Sequence, residues 1–111
     1  MVNSTVLKNA SIIDGMGSAP YSGHLVLKEN KIVSIVRDGE LSHDKDANVI
    51  DLKGKSVMPG LIDAHCHISF DEPRSNDELF FHRREGLAAI IAGTNSLKVL
   101  QSGVTSFFDA D

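Results

Sequence analysis

The residues best suited to chemistry are His65 and His67, which flank Cys66 at the end of an apolar run. On a β-strand, alternate side chains share a face, so both imidazoles would project together from Cα atoms about 6 to 7 Å apart. Neutral imidazole binds zinc and its neighbours among the transition metals, and ligands bind at the carboxyl ends of parallel strands. Cys66 would point the other way and pack as a small apolar residue. From these residues alone, a metal site and two ordinary surface histidines both remain open.

Two aspartates could support such a pair. Asp63 lies two residues before His65, so it faces the same side but deeper. It could orient a ligand histidine from behind the site, or it could make a purely structural hydrogen bond. Asp109 ends the last apolar run, where it could cap the strand or shape the active site.

The remaining polar candidates carry weaker signals. Loops at the carboxyl end of barrel strands line active sites, so the residues after His67 could contact a substrate or simply be solvated. These loop residues are Phe70, Asp71, Glu72 and Arg74. We expect the other three histidines at the surface: His24, His43 and His82.

Residues 4–60 form short runs rich in branched side chains, which are typical of an antiparallel sandwich or barrel. The runs are 5–7, 11–13, 24–28, 31–36, 49–52 and 56–58. Glu29-Asn30 predicts a tight hairpin in which Asn30 takes the positive φ. Residues 40–48 are polar and predict a surface loop.

The composition changes at Pro59-Gly60, after which residues 61–68 predict a strand. Ser75 and Glu78 have the spacing of a capping box, which predicts a helix to about residue 101. Gly103 would end that helix, and residues 104–108 predict a further strand. One apolar stripe at helical spacing should face a sheet, with its two glycines allowing close approach. The stripe consists of Leu79, Gly86, Ile90, Gly93, Leu97 and Leu100.

Strand, helix and strand in this order predict a parallel, right-handed β-α-β unit. We therefore divide the chain into residues 1–59 and residues 60–111. One helix covers only one face of two strands, so such a unit exposes its other face and both edges. We expect the chain to be incomplete for the fold that it begins.

The bulk composition excludes several classes of protein. The net charge of −4 and the pI near 5.6 give no reason to expect nucleic acid or an anionic membrane as a partner. A single cysteine permits no intrachain disulfide and suits a reducing compartment. The sequence has neither a secretory signal nor an apolar run of roughly 18 residues. We expect a cytoplasmic protein.

Residues 57–67, which read VMPGLIDAHCH, resemble the "PGxIDxHxH" signature of the amidohydrolase superfamily. The upstream segments 12–15, 31–35 and 49–55 agree with that pattern, and residues 101–109 are similar to the "GVTTxxD" second barrel strand. The resemblance covers nearly the whole chain, and the combination is specific. Within the superfamily, the chain is similar to imidazolonepropionase-like members and to metal-dependent dipeptidases.

This resemblance implies the start of a (β/α)₈ TIM barrel, in residues 60–111, preceded by part of a small β-sandwich, in residues 1–59. It implies that His65 and His67 hold the more buried of one or two divalent metal ions, which we expect to be zinc. A carboxylated lysine or glutamate, two further histidines and an acid–base aspartate would come from later strands. The chain itself would then contain no catalytic residue and would be inactive alone.

The implied reaction is hydrolysis of an amide or peptide-like C–N bond in a small-molecule or dipeptide-like substrate. Metal binding lowers the pKa of water from about 15.7 to about 7. Cyclic amides, deamination and cleavage of carbamates or ureas remain open. We expect the missing barrel strands to come from the remainder of the same protein, and we expect that protein to form a homo-oligomer. One alternative is a non-catalytic barrel with a structural or interaction role, and the intact histidines argue against it. The other is a small β-rich binding module, and the unpaired β-α-β unit argues against that.

Overall fold

The structure is a computed structural model that describes residues 4–110. The chain divides into two compact units between Pro59 and Gly60. Residues 1–3 of the first predicted domain and residue 111 of the second lie outside the described range. The first unit holds five strands: β1 Ser4–Ile12, β2 Tyr21–Lys28, β3 Lys31–Arg37, β4 Asn48–Asp51 and β5 Ser56–Val57.

The five strands form one mixed sheet. Its order is β3-β2-β1-β4, and β5 pairs with β1 beyond the end of β4. The first three strands are antiparallel, whereas β4 and β5 run parallel to β1. The predicted antiparallel arrangement is therefore wrong for the last two strands. The reason is the long connection after β3. It carries the chain past β2 and β1, so that β4 runs in the same direction as β1 on the side of β1 away from β2, and such a parallel pairing requires a long crossover.

A β-bulge joins two runs that the sequence predicts separately into the single strand β1. The register with β2 shifts between Leu7 and Ala10, and Asn9 takes a φ of +56°, a conformation that asparagine adopts more readily than most residues. The Asn9 backbone N–H donates to His24 Nδ1 at 2.9 Å, and its side-chain amide donates to Asp51 Oδ1 at 3.0 Å. The bulge is thus held by hydrogen bonds to both neighbouring strands.

The hairpin between β2 and β3 is confirmed, with Lys28 opposite Lys31. The positive φ lies at Glu29, at +55°, and not at Asn30 as predicted. A positive φ at the first central residue is the pattern of a type II′ turn, whose twist matches that of the strands as well as a type I′ turn does.

The main core cluster of the first unit lies on one face of this sheet. Ala10 and Ile12 of β1 are buried there with Leu25 of β2. Partly buried residues pack against this cluster: Leu7, Tyr21, Leu52 and Val57. Val6 pairs with Val26, whereas its neighbour Leu7 pairs with Leu25, so Val6 is buried on the opposite face. The strand β3 carries no buried residue, so the core is centred on β1.

The second unit has the predicted strand, helix and strand. These are β6 Leu61–Cys66, a π-helical turn Glu78–His82, α1 Glu85–Gln101 and β7 Val104–Asp109. The strands β6 and β7 pair in parallel, and Gly103 reverses the chain after α1 with a φ of +95°. The predicted β-α-β connection is therefore confirmed, and it brings the carboxyl ends of both strands to one edge.

The predicted capping box forms only in part. The Glu78 backbone N–H donates to Ser75 Oγ at 3.1 Å, as expected. The Glu78 carboxylate, however, accepts from the Arg74 backbone N–H at 3.0 Å, one residue earlier than the reciprocal bond of a capping box. The predicted helix is also interrupted, because Arg83 and Arg84 are extended and α1 begins only at Glu85.

The predicted stripe of α1 faces outward, which contradicts the sequence interpretation. Ile90 is 70% exposed and Leu97 is 55% exposed, and a Cβ at Gly86 or Gly93 would have no atom within 4 Å. The half-buried side of the helix carries a different set: Ala88, Ile91, Ala92, Asn95, Ser96 and Val99. Both sets have helical spacing, so periodicity alone does not decide between them. No helix within residues 4–110 is long and apolar enough to span a bilayer.

Candidate metal centre

The two histidines of the HxH motif meet at the carboxyl end of β6. His65 lies within the strand, and His67 follows its last residue. Their Nε2 atoms are 3.2 Å apart, and the rings stand edge to face, with centroids 5.0 Å apart and planes at 78°. His65 is exposed and His67 is half-buried. The structure therefore brings both imidazoles to the same side, as the alternation of a strand predicts.

The spacing of the two nitrogens suits a shared cation. Zinc binds imidazole nitrogen at about 2.0 to 2.1 Å in tetrahedral geometry, which places two ligand nitrogens about 3.3 Å apart. The observed 3.2 Å agrees with that value. As a hydrogen bond, this contact would have one Nε2–H as donor and the other Nε2 as acceptor, and the tautomers determine which ring donates.

The pair supplies only part of a coordination sphere. Among residues 4–110, no group of three or more His, Cys, Asp or Glu side chains is arranged to hold one ion. Catalytic zinc sites usually have three protein ligands and one open position. A metal held by His65 and His67 would need further ligands from groups other than these.

A β-turn directly after β6 places an aromatic ring on His67. The Phe70 backbone N–H donates to the His67 carbonyl at 3.3 Å, which closes the turn. The Phe70 ring stacks on the imidazole of His67, with centroids 4.5 Å apart and planes at 10°. The Phe80 ring stands edge-on to Phe70 at 6.1 Å. One face of the His67 imidazole is thus covered by an aromatic ring.

The carbonyls of this turn are held by side chains that follow it in sequence. Asn95 of α1 donates from Nδ2 to the carbonyls of Ile68 and Phe70, both at 2.8 Å. The Arg83 guanidinium donates to the carbonyl of Ser69. Arg83 lies at the break before α1, and from there its guanidinium reaches the turn.

The two aspartates occupy different places. Asp63 is half-buried, and its Oδ1 accepts from the His65 backbone N–H at 3.1 Å. This contact fixes the backbone of His65 and is not a bond to its ring.

Asp109 lies at the same edge as the histidines. It is the register partner of Cys66 at the end of the parallel pair, where the Ala110 N–H donates to the Cys66 carbonyl at 2.9 Å. One Asp109 carboxylate oxygen is shielded from solvent and has no hydrogen-bond donor within residues 4–110.

The other candidates are mostly apart from the pair. Of the loop residues, Phe70 stacks on His67, whereas Asp71, Glu72 and Arg74 are exposed. His43 and His82 are exposed as predicted, the latter pairing with Asp77 at 2.9 Å. His24 is half-buried, and its Nδ1 accepts from the Asn9 backbone N–H at the β1 bulge, in a bond that is itself exposed. Cys66 is a half-buried free thiol.

Comparison with known proteins decides the family. No protein-family model matches the chain. An imidazolonepropionase of Fusobacterium nucleatum subsp. nucleatum is 31% identical over 106 residues, which cover 93% of this chain and 23% of the relative. A 5-methylthioadenosine/S-adenosylhomocysteine deaminase of Halalkalibacterium halodurans is 36% identical over 77 residues, which cover 67% and 18%.

Solved structures agree with these relatives. An amidohydrolase superposes with a TM-score of 0.82 at 26% identity, over 97% of this chain and 25% of that one. A prolidase complexed with N-methylphosphonate-L-proline gives a TM-score of 0.78 at 30% identity, over 97% and 26%. The chain belongs to the amidohydrolase superfamily.

Family membership confirms the predicted fold class. The mixed sheet and the β-α-β unit correspond to about a quarter of the solved amidohydrolase chains. Likewise, the chain spans about a quarter of the length of the imidazolonepropionase and about a fifth of the deaminase.

The sequence interpretation missed the support behind His67. It placed Phe70 in a loop and did not single out Asn95 at all. A polar residue in a row of small and apolar residues at helical spacing was the available signal, because a side chain that is half-buried on a helix usually finds a hydrogen-bond partner.

Proposed function

We propose that the protein is a metal-dependent amidohydrolase and that His65 and His67 provide two of its metal ligands. The observation that carries this proposal is the 3.2 Å approach of the two Nε2 atoms at the carboxyl end of β6, in a chain that belongs to this superfamily. Ligands bind at that end of barrel strands. Zinc is the metal that we expect, as one or two ions.

The residues of this chain would bind and orient. Each imidazole must present an unprotonated Nε2, so the remaining proton of each ring would lie on Nδ1. Asp63 holds the His65 backbone, and Phe70 covers one face of His67. A divalent cation bound there would supply a water of lowered pKa and a polarised scissile carbonyl. We assign no proton transfer to a residue of this chain.

For the substrate, we propose an amide or peptide-like C–N bond in a small molecule. The prolidase and the imidazolonepropionase among the similar proteins support this choice. The deaminase supports loss of an amino group as the second possibility. A panel of dipeptides, N-acyl amino acids and aminopurine nucleosides distinguishes these reactions by the product released.

The test uses the full-length protein and its bound metal. We expect zinc by elemental analysis, and we expect His65→Ala and His67→Ala each to reduce both metal content and hydrolysis at least tenfold. His82→Ala is the matched control, because His82 is exposed and pairs only with Asp77 among the contacts described for it. It should retain metal and activity.

Two results would contradict the proposal. Unchanged metal content in both histidine variants would show that His65 and His67 are not metal ligands. Normal zinc content with no hydrolysis across the panel would instead support a non-catalytic member of the superfamily.

A further inference from the structure

His67 lies one residue beyond the last residue of β6, where the strand pair still holds the Cys66 carbonyl through the Ala110 N–H. Its backbone begins the turn at residues 67–70, closed by the bond from the Phe70 N–H to the His67 carbonyl. What holds this turn therefore contributes to the orientation of the imidazole.

Asn95 holds the turn at two points. Its Nδ2 donates to the carbonyls of Ile68 and Phe70, both at 2.8 Å. Its Oδ1 accepts from Lys98 Nζ at 3.2 Å. Because the ammonium group can only donate, this bond fixes which end of the amide faces the turn. Asn95 is half-buried, so losing these bonds would leave carbonyls without donors.

The contacts form a continuous path from α1 to the imidazole. The amide of Asn95 fixes the backbone of the turn, the turn places the Phe70 ring, and that ring lies flat on His67 at 4.5 Å. A stacked ring restricts rotation of the imidazole plane, and that plane determines where Nε2 points. Side chains outside the ligand pair thus connect α1 to the imidazole that approaches His65 at 3.2 Å.

We infer that Asn95 is a positioning residue for the candidate metal pair, acting through the turn at residues 67–70 and the Phe70 ring. This inference rests on the proposed function. According to this inference, the amide of Asn95 on the half-buried side of α1 keeps the His67 imidazole oriented to bind a cation. Partners that orient metal ligands typically change metal affinity 10- to 100-fold when they are removed. Since Asn95 acts through the turn, we expect about tenfold, the lower end of that range.

The experiment compares Asn95→Asp with Thr94→Ala in the full-length protein. The aspartate has nearly the same shape but presents oxygen, in place of N–H, to the two carbonyls. Thr94 is the matched control, because its hydroxyl bonds to the Ile90 carbonyl within the same helix and faces solvent. We expect titration of the metal-free protein with Co²⁺ to show about tenfold weaker binding and a shifted visible absorption band for Asn95→Asp, and no change for Thr94→Ala.

A second pair of variants tests the ring. Phe70→Leu keeps an apolar side chain but removes the flat surface, whereas Phe70→Tyr keeps the ring. We expect weaker Co²⁺ binding for the leucine variant and near-normal binding for the tyrosine variant. This pair keeps the inference testable if Asn95→Asp does not fold.

The outcomes separate the inference from the function on which it rests. If the unaltered protein binds no Co²⁺ or zinc, the proposed function fails. If it binds metal and both Asn95→Asp and Phe70→Leu bind equally well, the positioning role is wrong. The role is also overturned if weaker binding is matched by an equal loss of stability in the metal-free protein, since Asn95 would then be only structural.

Discussion

Gly60 should tolerate no side chain, because it lies directly against Thr105 at the start of the parallel pair. A Cβ built on Gly60 would lie 2.1 Å from Thr105 Oγ1, 2.2 Å from its Cγ2 and 2.6 Å from its Cβ. Rotation about χ1 of Thr105 could move the first two atoms but not the third, since Cβ is fixed by the backbone. The substitution Gly60→Ala must therefore push the strands apart.

The size of the effect follows from that displacement. Carbon atoms in contact prefer about 3.5 to 4.0 Å, so the strands would have to separate locally by about 1 Å. The neighbouring bond from the Leu61 N–H to the Gly103 carbonyl is 2.9 Å long and would lengthen beyond hydrogen-bonding range. Overpacking costs about 1 to 3 kcal/mol and a lost hydrogen bond about 0.5 to 1.5 kcal/mol. We expect a loss of about 2 to 4 kcal/mol in the free energy of unfolding.

The assay is urea denaturation of the full-length protein followed by circular dichroism, which reports the shift of the midpoint. Gly93→Ala is the matched control, because a Cβ there meets nothing within 4 Å and alanine favours a helix by about 1 kcal/mol over glycine. It should be neutral or stabilising. Adding Thr105→Gly to Gly60→Ala removes all three clashing atoms, so the double variant should recover most of the loss beyond the cost of the new glycine itself.

Two measurements would refute this reasoning. A Gly60→Ala midpoint equal to that of the unaltered protein would mean that the strands do not approach as closely as described. Additive effects in the double variant would mean that the destabilisation arises somewhere other than at Thr105.

Two further predictions concern the first unit. The backbone N–H of Lys53 and the amide of Asn9 both donate to Asp51, and they lower the pKa of its carboxyl below the ordinary 3.8. A lowered folded-state pKa means that this stabilisation is present above about pH 4 and is lost as the pH falls through the folded pKa. The substitution Asp51→Asn should therefore make the urea midpoint depend less steeply on pH in this range. An unchanged slope would contradict the assignment. At the β1 bulge, Asn9→Val should destabilise the protein by at least about 1 to 2 kcal/mol, because residue 9 has a positive φ that valine adopts poorly. Asn9→Gly should lose mainly the bond to Asp51. Equal melting temperatures for the two variants would argue against backbone strain.

Much of the second unit could be predicted from local sequence. The spacing of apolar residues predicts β6 and β7 to within a few residues, and Gly103 predicts the end of α1. The start of α1 is not predicted, because the helix begins at Glu85 and not directly after Ser75. Alternation along a strand predicts that His65 and His67 share a side. These features depend on backbone geometry over a few residues, which nearby side chains determine.

Other features of the fold could not be read from the chain in this way. The residues of β4 are typical of a strand, but their spacing does not tell whether the strand runs parallel or antiparallel to β1. Likewise, α1 has two sides with helical spacing, and the more apolar one, with Ile90 and Leu97, faces away from β7. The half-buried side carries Asn95, whose amide satisfies two carbonyls of the turn.

The sequence by itself determined the strand and helix types, the HxH pair at a strand end and the family to which these belong. Only the tertiary structure decided the 3.2 Å separation of the two Nε2 atoms, the stacking of Phe70 on His67 and the hold of Asn95 on the turn between them. The physical reason is that periodicity is a property of neighbouring residues, whereas these contacts join side chains brought together by the close packing of α1 and the turn. A contact between residues 68 and 95 has no signature in either segment alone.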